Sequence, residues 1–233
     1  MKITIQRFNP ETDKKPYNKT YLIEREKVRG SMLLHALEAL KEQDPTLTFR
    51  RSCGSGVCGS DGMNINGSNG LACMTLLDDL PENINIYPLP SMPIIRDLVV
   101  DLGQFYQSYE KIHPYIRSTK SPAKGEYLQS KEDRAQLDGL YECIMCACCS
   151  TMCPSYWWNP DNFIGPAGHL TAARFIFDSR DDSTDERLEQ LSDLFKLYRC
   201  RSIMNCVRVC PKKLNPTDAI ARIRTKMISE GTK

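Results

Sequence analysis

Residues 143–154 read CIMCACCSTMCP, a stretch of twelve positions of which five are cysteine. Four of these, Cys143, Cys146, Cys149 and Cys153, follow the spacing C-x2-C-x2-C-x3-C-P. This spacing is typical of [4Fe-4S] binding, and its fourth cysteine binds a different cluster from the first three. Cys148 lies outside the spacing, so we interpret it as a packed thiol and not as a ligand. The stretch therefore predicts two iron–sulfur clusters in the second half of the chain.

A second, incomplete run lies near the C-terminus, where Cys200, Cys206 and Cys210 are followed by Pro211. When the two runs are overlaid, these cysteines take the first, third and fourth positions, and Ile203 takes the second. Isoleucine has no atom that binds iron. The crossed pattern of ligands therefore gives one complete set of four thiolates and one set of only three.

The complete set predicts a [4Fe-4S] cluster with the ligands Cys143, Cys146, Cys149 and Cys210. The incomplete set predicts a [3Fe-4S] cluster with the ligands Cys153, Cys200 and Cys206. The alternative for this set is a [4Fe-4S] cluster with one iron open to substrate, as in a hydratase. The apolar side chain of Ile203 at the vacant position makes access by substrate less favourable, so we favour [3Fe-4S].

A third group of candidate ligands lies upstream, where residues 50–62 read RRSCGSGVCGSDG. Cys53, Cys58 and Asp61 have the spacing C-x4-C-x2-D, and Cys73 follows later. Plant-type [2Fe-2S] sites use C-x4-C-x2-C and a distant cysteine, so Asp61 stands where the third thiolate is expected. The four residues predict a [2Fe-2S] site. A structural zinc loop is the alternative, but it would favour paired C-x2-C knuckles, which this run lacks.

The pattern along the chain predicts an α+β protein with two domains. Residues 1–93 alternate apolar and polar positions around one helical segment capped by Ser31, which predicts a β-grasp domain of the plant-type ferredoxin kind. Tight turns are predicted at Asn66-Gly67 and Asn69-Gly70. The linker is the proline-rich segment 88–93, reading PLPSMP. Residues 94–233 predict an α-helical, bacterial-ferredoxin-like domain with helices near 97–112, 131–141, 167–177, 186–198 and 217–228, the last capped by Asn215.

Composition excludes several classes of function. The net charge of +2, without a basic block, argues against a nucleic-acid-binding module. No signal peptide and no apolar stretch of membrane-spanning length is predicted. The chain also lacks the glycine-rich and P-loop motifs of nucleotide or flavin binding, so both electron donor and acceptor are expected on other molecules. Purely structural clusters, or zinc in place of iron, stay open as alternatives.

Four segments carry a resemblance to a known family: residues 50–62, residues 137–160 (LDGLYECIMCACCSTMCPSYWWNP), residues 163–168 (FIGPAG) and residues 199–216 (RCRSIMNCVRVCPKKLNP). Together they closely resemble the iron–sulfur subunit of bacterial succinate dehydrogenase, over nearly the whole chain. The resemblance implies electron transfer from succinate-reduced FAD on a flavoprotein subunit, through the three clusters, to ubiquinone. Succinate oxidation itself would take place on that flavoprotein.

The resemblance also implies partners, a location and a quinone site. The partners would be the flavoprotein and membrane-anchor cytochrome b subunits that carry haem b. The chain would lie peripherally on the cytoplasmic face of the bacterial inner membrane. The quinone pocket would use Pro154, Trp158 and Ile203, although Trp157 and Trp158 could instead be surface anchors against the membrane subunits. The family usually has histidine where this chain has Arg201, which makes Arg201 a further candidate and puts the proton route in doubt.

One rival reading belongs to the same class of protein. The iron–sulfur subunit of a fumarate reductase shares these spacings and transfers electrons in the opposite direction. The segments CACCSTMC and SYWW resemble the succinate-oxidising members more closely, so we favour succinate dehydrogenase.

Overall fold

The computed structural model describes residues 1–119, 121–122 and 125–229. These residues form two compact units. The first comprises Met1–Leu102 together with Ile144–Met152, and the second comprises Gly103–Cys143 and Cys153–Lys233. The chain therefore leaves the first unit, returns to it for one short segment and leaves it again.

The described part of the first unit contains a five-stranded sheet. Its strands are β1 (Lys2–Arg7), β2 (Tyr17–Leu22), β3 (Gly62–Ile65), β4 (Ser68–Leu71) and β5 (Asn83–Tyr87), in the order β2-β1-β5-β3-β4. β1 pairs with β5 in parallel, with Ile3 opposite Ile84, and the other neighbours are antiparallel. Alternate residues such as Ile3, Ile5 and Ile84 are buried, as the period-two pattern predicts. The mixed sheet with one helix confirms the predicted β-grasp class.

Helix α1 (Leu33–Gln43) covers this sheet with an apolar stripe. Leu33, Leu37 and Leu40 are fully buried, as the spacing of three and four residues predicts. The predicted cap at Ser31 is wrong by one residue. The N-cap is Met32, whose backbone N–H donates to Nδ1 of His35, the third residue of the helix, at 3.1 Å.

The turn prediction between β3 and β4 is half right. Asn66 and Gly67 both have positive φ and form the hairpin turn, as expected for an Asn-Gly pair. Asn69 and Gly70 were expected in a second turn but lie inside β4. The side chain of Asn69 is buried and makes hydrogen bonds inside the protein instead of forming a turn.

A two-stranded hairpin, β6 (Ile94–Arg96) and β7 (Val99–Val100), replaces the start of the helix expected over 97–112. Asp97 has φ of +48° and is 2% exposed. Its carboxylate accepts from the backbone N–H groups of Phe8 and Thr48 and from the Arg7 guanidinium. These bonds hold residues 94–100 in the first unit, so that the unit extends to Leu102 and past the predicted end at residue 93.

The segment Ile144–Met152, which contains the short helix α4 (Cys148–Thr151), also belongs to the first unit. Nδ2 of Asn69 donates to the carbonyl oxygen of Cys148 at 3.1 Å and to Oγ1 of Thr151 at 2.9 Å. All of these groups are buried. An unpaired buried polar group is costly, so the bonds tie the segment to β4.

The second unit is helical, as predicted, and the described helices are α2 (Gly103–Glu110), α3 (Lys131–Ala135), α5 (Pro154–Trp158), α6 (Gly165–Ile176), α7 (Thr184–Leu191), α8 (Asn205–Arg208) and α9 (Pro216–Ser229). α6 and α9 match the predictions closely. Oδ1 of Asn215 accepts the Asp218 N–H at 3.0 Å and caps α9. α5 and α8 were not predicted, because each is only about one turn long.

Two helices end earlier than predicted. α3 ends at Ala135, before Gly139 with its φ of +80°. α7 ends at Leu191, and the side chain of Asp193 accepts the Phe195 N–H at 2.7 Å beyond it. Such local side-chain bonds offer the backbone an alternative to the helix. Along the described chain, no helix has the length and apolar character needed to cross a bilayer.

Candidate iron–sulfur sites

The loop after α1 presents two exposed cysteines surrounded by backbone donors. Sγ of Cys53 accepts from the N–H groups of Ser55, Val57 and Cys58 at 3.3–3.4 Å. Sγ of Cys58 accepts from the N–H groups of Cys53 and Ser60 at 3.5 and 3.3 Å. These donors lower the pKa of Cys53 to about 6, led by the Ser55 N–H. The loop is thus built to hold sulfur as thiolate, the form that binds iron.

Asp61 and Cys73 lie together on the buried side of this loop. Oδ2 of Asp61 accepts the Cys73 backbone N–H at 2.6 Å. Oδ1 is buried and has no hydrogen-bond partner. Burial, followed by the Asp61 carboxylate, raises the pKa of the Cys73 thiol to about 12. Cys53 contributes to the same rise, so the structure gathers the predicted residues in one place.

This donor set fits a [2Fe-2S] cluster. An orphaned carboxylate oxygen in a buried position is costly unless a cation or donor meets it. Asp61 and Cys73 oppose each other as anions, and positive iron between them would remove that conflict. The unpartnered Asp61 oxygen is chemically able to bind iron at this position.

A second group lies in the second unit, where one cavity is lined by Cys153, Cys200 and Cys206. The enclosed volume is small, about 20 Å³. Burial raises the pKa of Cys153 and of Cys206; the charge of Cys200 adds to both rises, and that of Cys153 adds to the rise at Cys206. Three mutually repelling sulfurs around a cavity suit a cluster with three protein ligands.

The side chain at the vacant fourth position lies on the same cavity. Ile203 lines it and is 49% exposed. Pro154 and Arg201 line it as well. Trp158 does not figure among the described lining residues. It lies at the end of α5 and is 72% exposed.

The two cysteine runs share a backbone conformation, which supports the overlay made from sequence. Met145 and Ala147 have φ of +54° and +63°, and the matching Ser202 and Met204 have φ of +54° and +65°. Left-handed conformation is uncommon for residues other than glycine. A short helix follows in each run, α4 after Ala147 and α8 after Met204. The runs are therefore a structural repeat, and Ile203 takes the place that Cys146 takes in the first copy.

The four cysteines predicted for the [4Fe-4S] cluster are divided between the units. Cys146 and Cys149 belong to the first, and Cys143 and Cys210 belong to the second. Sγ of Cys210 accepts the Leu214 N–H at 3.3 Å. No group of three or more His, Cys, Asp or Glu side chains within the described ranges is arranged for a single metal ion. The cysteine ligands of an iron–sulfur cluster are arranged differently, because they surround a group of several atoms and do not converge on one ion.

Sequence reasoning missed two residues beside the three-cysteine cavity. Nη2 of Arg224 donates to the carbonyl oxygens of Leu197 and Cys200 at 2.9 and 3.1 Å. Oγ1 of Thr217 lies 3.5 Å from Sγ of Cys206. Both residues come from the α9 region, far along the chain from the cysteines they contact. No spacing rule could have identified them.

Comparison with family models gives two matches, one in each half of the chain. A model described as a 2Fe-2S iron-sulfur cluster binding domain matches residues 2–107. A second, described as a 4Fe-4S dicluster domain, matches residues 139–214. The two matches agree with the placement of the candidate ligands.

Comparison with whole proteins points to one family. The succinate dehydrogenase iron-sulfur subunit of Coxiella burnetii is 58% identical over 230 residues, covering 99% of this chain and 98% of that protein. That of Paracoccus denitrificans is 54% identical over 229 residues, covering 97% and 88%. A chain of the Mycobacterium smegmatis Sdh1 complex in the apo form superposes with a TM-score of 0.87 at 27% identity, covering 100% of this chain and 97% of that one. With identity of this order over nearly its full length, the chain belongs to the succinate dehydrogenase iron–sulfur subunits, the electron-transferring part of that oxidoreductase.

Proposed function

We propose that this subunit carries electrons from succinate-reduced FAD on a partner flavoprotein to ubiquinone. Membrane-anchor subunits with haem b would complete the complex, and the chain would lie peripherally on the cytoplasmic face of the inner membrane. The names of its relatives support the complex. The flavoprotein, the anchors, the haem and the quinone are our inference from the family.

The proposed ligands follow the geometry described above. We assign Cys53, Cys58, Asp61 and Cys73 to [2Fe-2S], Cys143, Cys146, Cys149 and Cys210 to [4Fe-4S], and Cys153, Cys200 and Cys206 to [3Fe-4S]. When bound, the clusters supply a series of one-electron carriers. The protein's own part is to keep the ligands deprotonated and to place backbone donors around the sulfurs.

One observation carries the proposal, namely the cavity lined by three cysteines and Ile203. A terminal carrier that delivers electrons to a quinone needs an apolar opening beside it. Ile203 and Pro154 provide apolar lining, and Ile203 is half exposed at the position where a fourth thiolate would close the set. The apolar side chain of Ile203 at this position makes access by a polar substrate less favourable, which argues against the hydratase-like alternative.

The candidate quinone residues supply complementary chemistry. Arg201 is exposed and lines the cavity, so its guanidinium could donate to a quinone oxygen while remaining charged. Trp158 offers an indole N–H and a large apolar face on the exposed end of α5. We propose that Pro154, Ile203 and Arg201 border the quinone and that Trp158 covers the outer side of the quinone site.

The test is purification of the chain from membranes with its partners, followed by EPR of the oxidised and reduced protein. We expect a flavoprotein to copurify, an oxidised three-iron signal, reduced signals for the other clusters, and quinone reduction by succinate. An Ile203→Trp variant should fill the cavity and slow quinone reduction while all clusters remain reducible by dithionite. Clusters that cannot be reversibly reduced, or zinc without acid-labile sulfide, would contradict the proposal. Fumarate reduction by quinol that is faster than succinate oxidation would assign the opposite direction.

A further inference from the structure

The hydroxyl of Thr217 lies against the sulfur of a proposed ligand. Its Oγ1 stands 3.5 Å from Sγ of Cys206. Cys206 is buried, at 7% exposure, and Thr217 is half-buried. Sulfur is a larger atom than oxygen, so a hydrogen bond between a hydroxyl and a sulfur is longer than one between two oxygens. The separation is therefore that of a hydrogen bond.

A turn of the chain brings these two residues together. Cys206 is the second residue of α8, and Thr217 is the second residue of α9. Between the two helices, Lys213 has φ of +57° and donates its N–H to the carbonyl oxygen of Cys210 at 3.0 Å. The chain thus reverses its direction, and the start of α9 packs against α8.

Thr217 belongs to the face of α9 that borders the three-cysteine cavity. Thr217 and Ile220 both line this cavity, as expected for residues three positions apart on one helix. Ile220 is buried, and so is Ile223, three residues further on, in the core of the second unit. Because these apolar side chains hold α9 in place, the helix should keep its position when the hydroxyl is removed.

The helix does not need this hydroxyl as a cap. Asn215 already caps α9, since its Oδ1 accepts the Asp218 N–H at 3.0 Å and its carbonyl oxygen accepts the Ala219 N–H at 3.2 Å. Threonine is also a weaker helix former than alanine, because its branched side chain loses rotamer freedom in a helix. The hydroxyl is therefore better explained by its contact with Cys206 than by the needs of α9.

The proton of this hydrogen bond belongs to Thr217 when Cys206 binds iron. A cysteine binds iron as thiolate, and a thiolate has no proton to donate. The hydroxyl of Thr217 is then the donor and the Cys206 sulfur is the acceptor. Hydrogen bonds to a charged acceptor are roughly twice as strong as those between neutral groups.

We propose that Thr217 is a positioning residue whose O–H donates to the Cys206 sulfur and thereby raises the reduction potential of the cluster that Cys206 binds. This inference rests on the proposed function, because it takes Cys206 as a [3Fe-4S] ligand. The one electron that reduces this cluster comes from succinate through the other two clusters. Reduction adds negative charge to the cluster and its sulfurs, and a donor to a ligand sulfur stabilises that charge.

The test is an EPR-monitored redox titration of the intact complex with Thr217→Val, Thr217→Ser or Thr217→Ala. Valine keeps the branched shape and loses the donor, serine keeps the donor and loses the methyl group, and alanine loses both. We expect valine and alanine to shift the reduced-to-oxidised ratio of the three-iron cluster at a fixed potential by up to about tenfold towards oxidised, which is 59 mV for a one-electron couple. Serine should stay near the ratio of the natural protein.

Thr171→Val is the matched control. Thr171 is buried on α6 in the same unit, and its Oγ1 donates to the carbonyl oxygen of Ala167 at 3.0 Å. The variant therefore removes a buried threonine hydroxyl whose partner is a carbonyl and not a sulfur. It should leave the three-iron titration unchanged. A shift as large as that of Thr217→Val would mean that the contact with Cys206 has no specific role.

Three patterns would overturn the inference. No shift in valine, or a shift towards reduced, would mean that the hydrogen bond does not favour the reduced cluster. Equal shifts in valine and serine would mean that only packing is disturbed. A shift in serine and alanine but not in valine would assign the effect to the methyl group. A natural complex without any three-iron signal would instead remove the proposed function itself.

A second measurement detects the hydrogen of the bond directly. Pulsed EPR of the oxidised three-iron signal in H2O and in D2O should show an exchangeable hydrogen coupled to the cluster that persists in Thr217→Ser and disappears in Thr217→Val. A natural complex with no exchangeable hydrogen coupled to this cluster would refute the proposal, even if no variant assembles. A coupled hydrogen that remains in Thr217→Val at full strength would refute it as well.

Discussion

Gly59 shows how strictly a single residue of the first cluster loop is constrained. It has φ of +67°, and a Cβ at this position would lie 2.7 Å from the carbonyl oxygen of Ile144 and 2.9 Å from Cα of Cys146. Both neighbours are backbone atoms, which cannot rotate away. The glycine therefore permits the loop that carries Cys58 to lie against the segment that carries Cys146.

We predict that Gly59→Ala lowers the stability of the first unit by more than its conformation alone explains. A left-handed alanine costs about 1–2 kcal/mol, and the two close contacts add to that. Gly67→Ala is the matched control, because Gly67 also has positive φ and nothing lies within 4 Å of its built Cβ. The measurement is the midpoint temperature at which visible circular dichroism reports loss of the [2Fe-2S] cluster. Equal midpoint temperatures for the two variants would mean that the close backbone contacts at Gly59 do not add to the loss of stability.

His169 is a buried titratable residue of the second unit that the proposed function does not use. It is fully buried on α6, and Nδ1 lies 2.8 Å from the carbonyl oxygen of Gly165. A carbonyl can only accept, so Nδ1 carries the proton. Nε2 is buried without a partner. Burial is the main reason that the pKa of His169 falls from 6.5 to about 4.

This shift predicts a stability that declines in acid. Between pH 6.5 and 4 the unfolded state binds a proton at this histidine and the folded state does not, so stability rises with pH across that range. The contribution of neutral His169 is complete above pH 6.5 and is lost as pH falls towards 4, by about 3 kcal/mol in total. His169→Leu should flatten the pH dependence of the unfolding midpoint. If the unfolding midpoint of His169→Leu depends on pH as steeply as that of the natural protein, His169 is not the source of the pH dependence.

At the scale of elements, the two cysteine runs behave as copies of one backbone motif. Each has two left-handed residues, one before and one after its second position, and a short helix that follows. The second position is Cys146 in one copy and Ile203 in the other. The difference between the clusters is therefore expected to lie in this side chain and not in the backbone.

We predict that Ile203→Cys converts the three-iron site to [4Fe-4S]. The repeat places the new thiol as Cys146 is placed in the first run, so a fourth iron gains a ligand. The oxidised three-iron EPR signal should disappear, and the iron content should rise by one atom per chain. Ile203→Ala is the control, since it removes the apolar side chain without adding a thiol. A three-iron signal that persists in Ile203→Cys would show that the backbone copies are not equivalent.

At the scale of the whole molecule, the division into two units separates two of the candidate ligand sets. Cys53, Cys58, Asp61 and Cys73 all lie in the first unit, and Cys153, Cys200 and Cys206 all lie in the second. Each of these two proposed clusters should therefore depend on the stability of its own unit.

We predict that Asp97→Asn destabilises the first unit selectively. Asp97 is buried and ion-paired with Arg7, and breaking such a pair costs about 3–5 kcal/mol. The [2Fe-2S] signal should be lost at a lower temperature, while the [3Fe-4S] signal persists. Leu188→Ala, in the core of the second unit, should instead destabilise the [3Fe-4S] signal and spare [2Fe-2S]. Simultaneous loss of all signals in both variants would mean that the units unfold together.

The sequence by itself determined the fold class and the candidate ligands, because cysteine spacing and apolar periodicity are local properties of the chain. The β-grasp sheet, helices α1, α6 and α9, and the Asn66-Gly67 turn followed from them. Helix α5 did not follow, because it is only about one turn long. The hairpin at 94–100 did not follow either, because bonds from the distant residues Phe8 and Thr48 to Asp97 hold it.

Only the tertiary structure decided what surrounds the ligands. It revealed the orphaned oxygen of Asp61, the cavity that brings Cys153 to Cys200 and Cys206, the Arg224 contact with Cys200 and the return of residues 144–152 to the first unit. The physical reason is that burial and hydrogen bonding depend on residues separated by tens of positions in the chain. A motif specifies which atoms can bind iron, and packing specifies which of them meet and how their charge is stabilised.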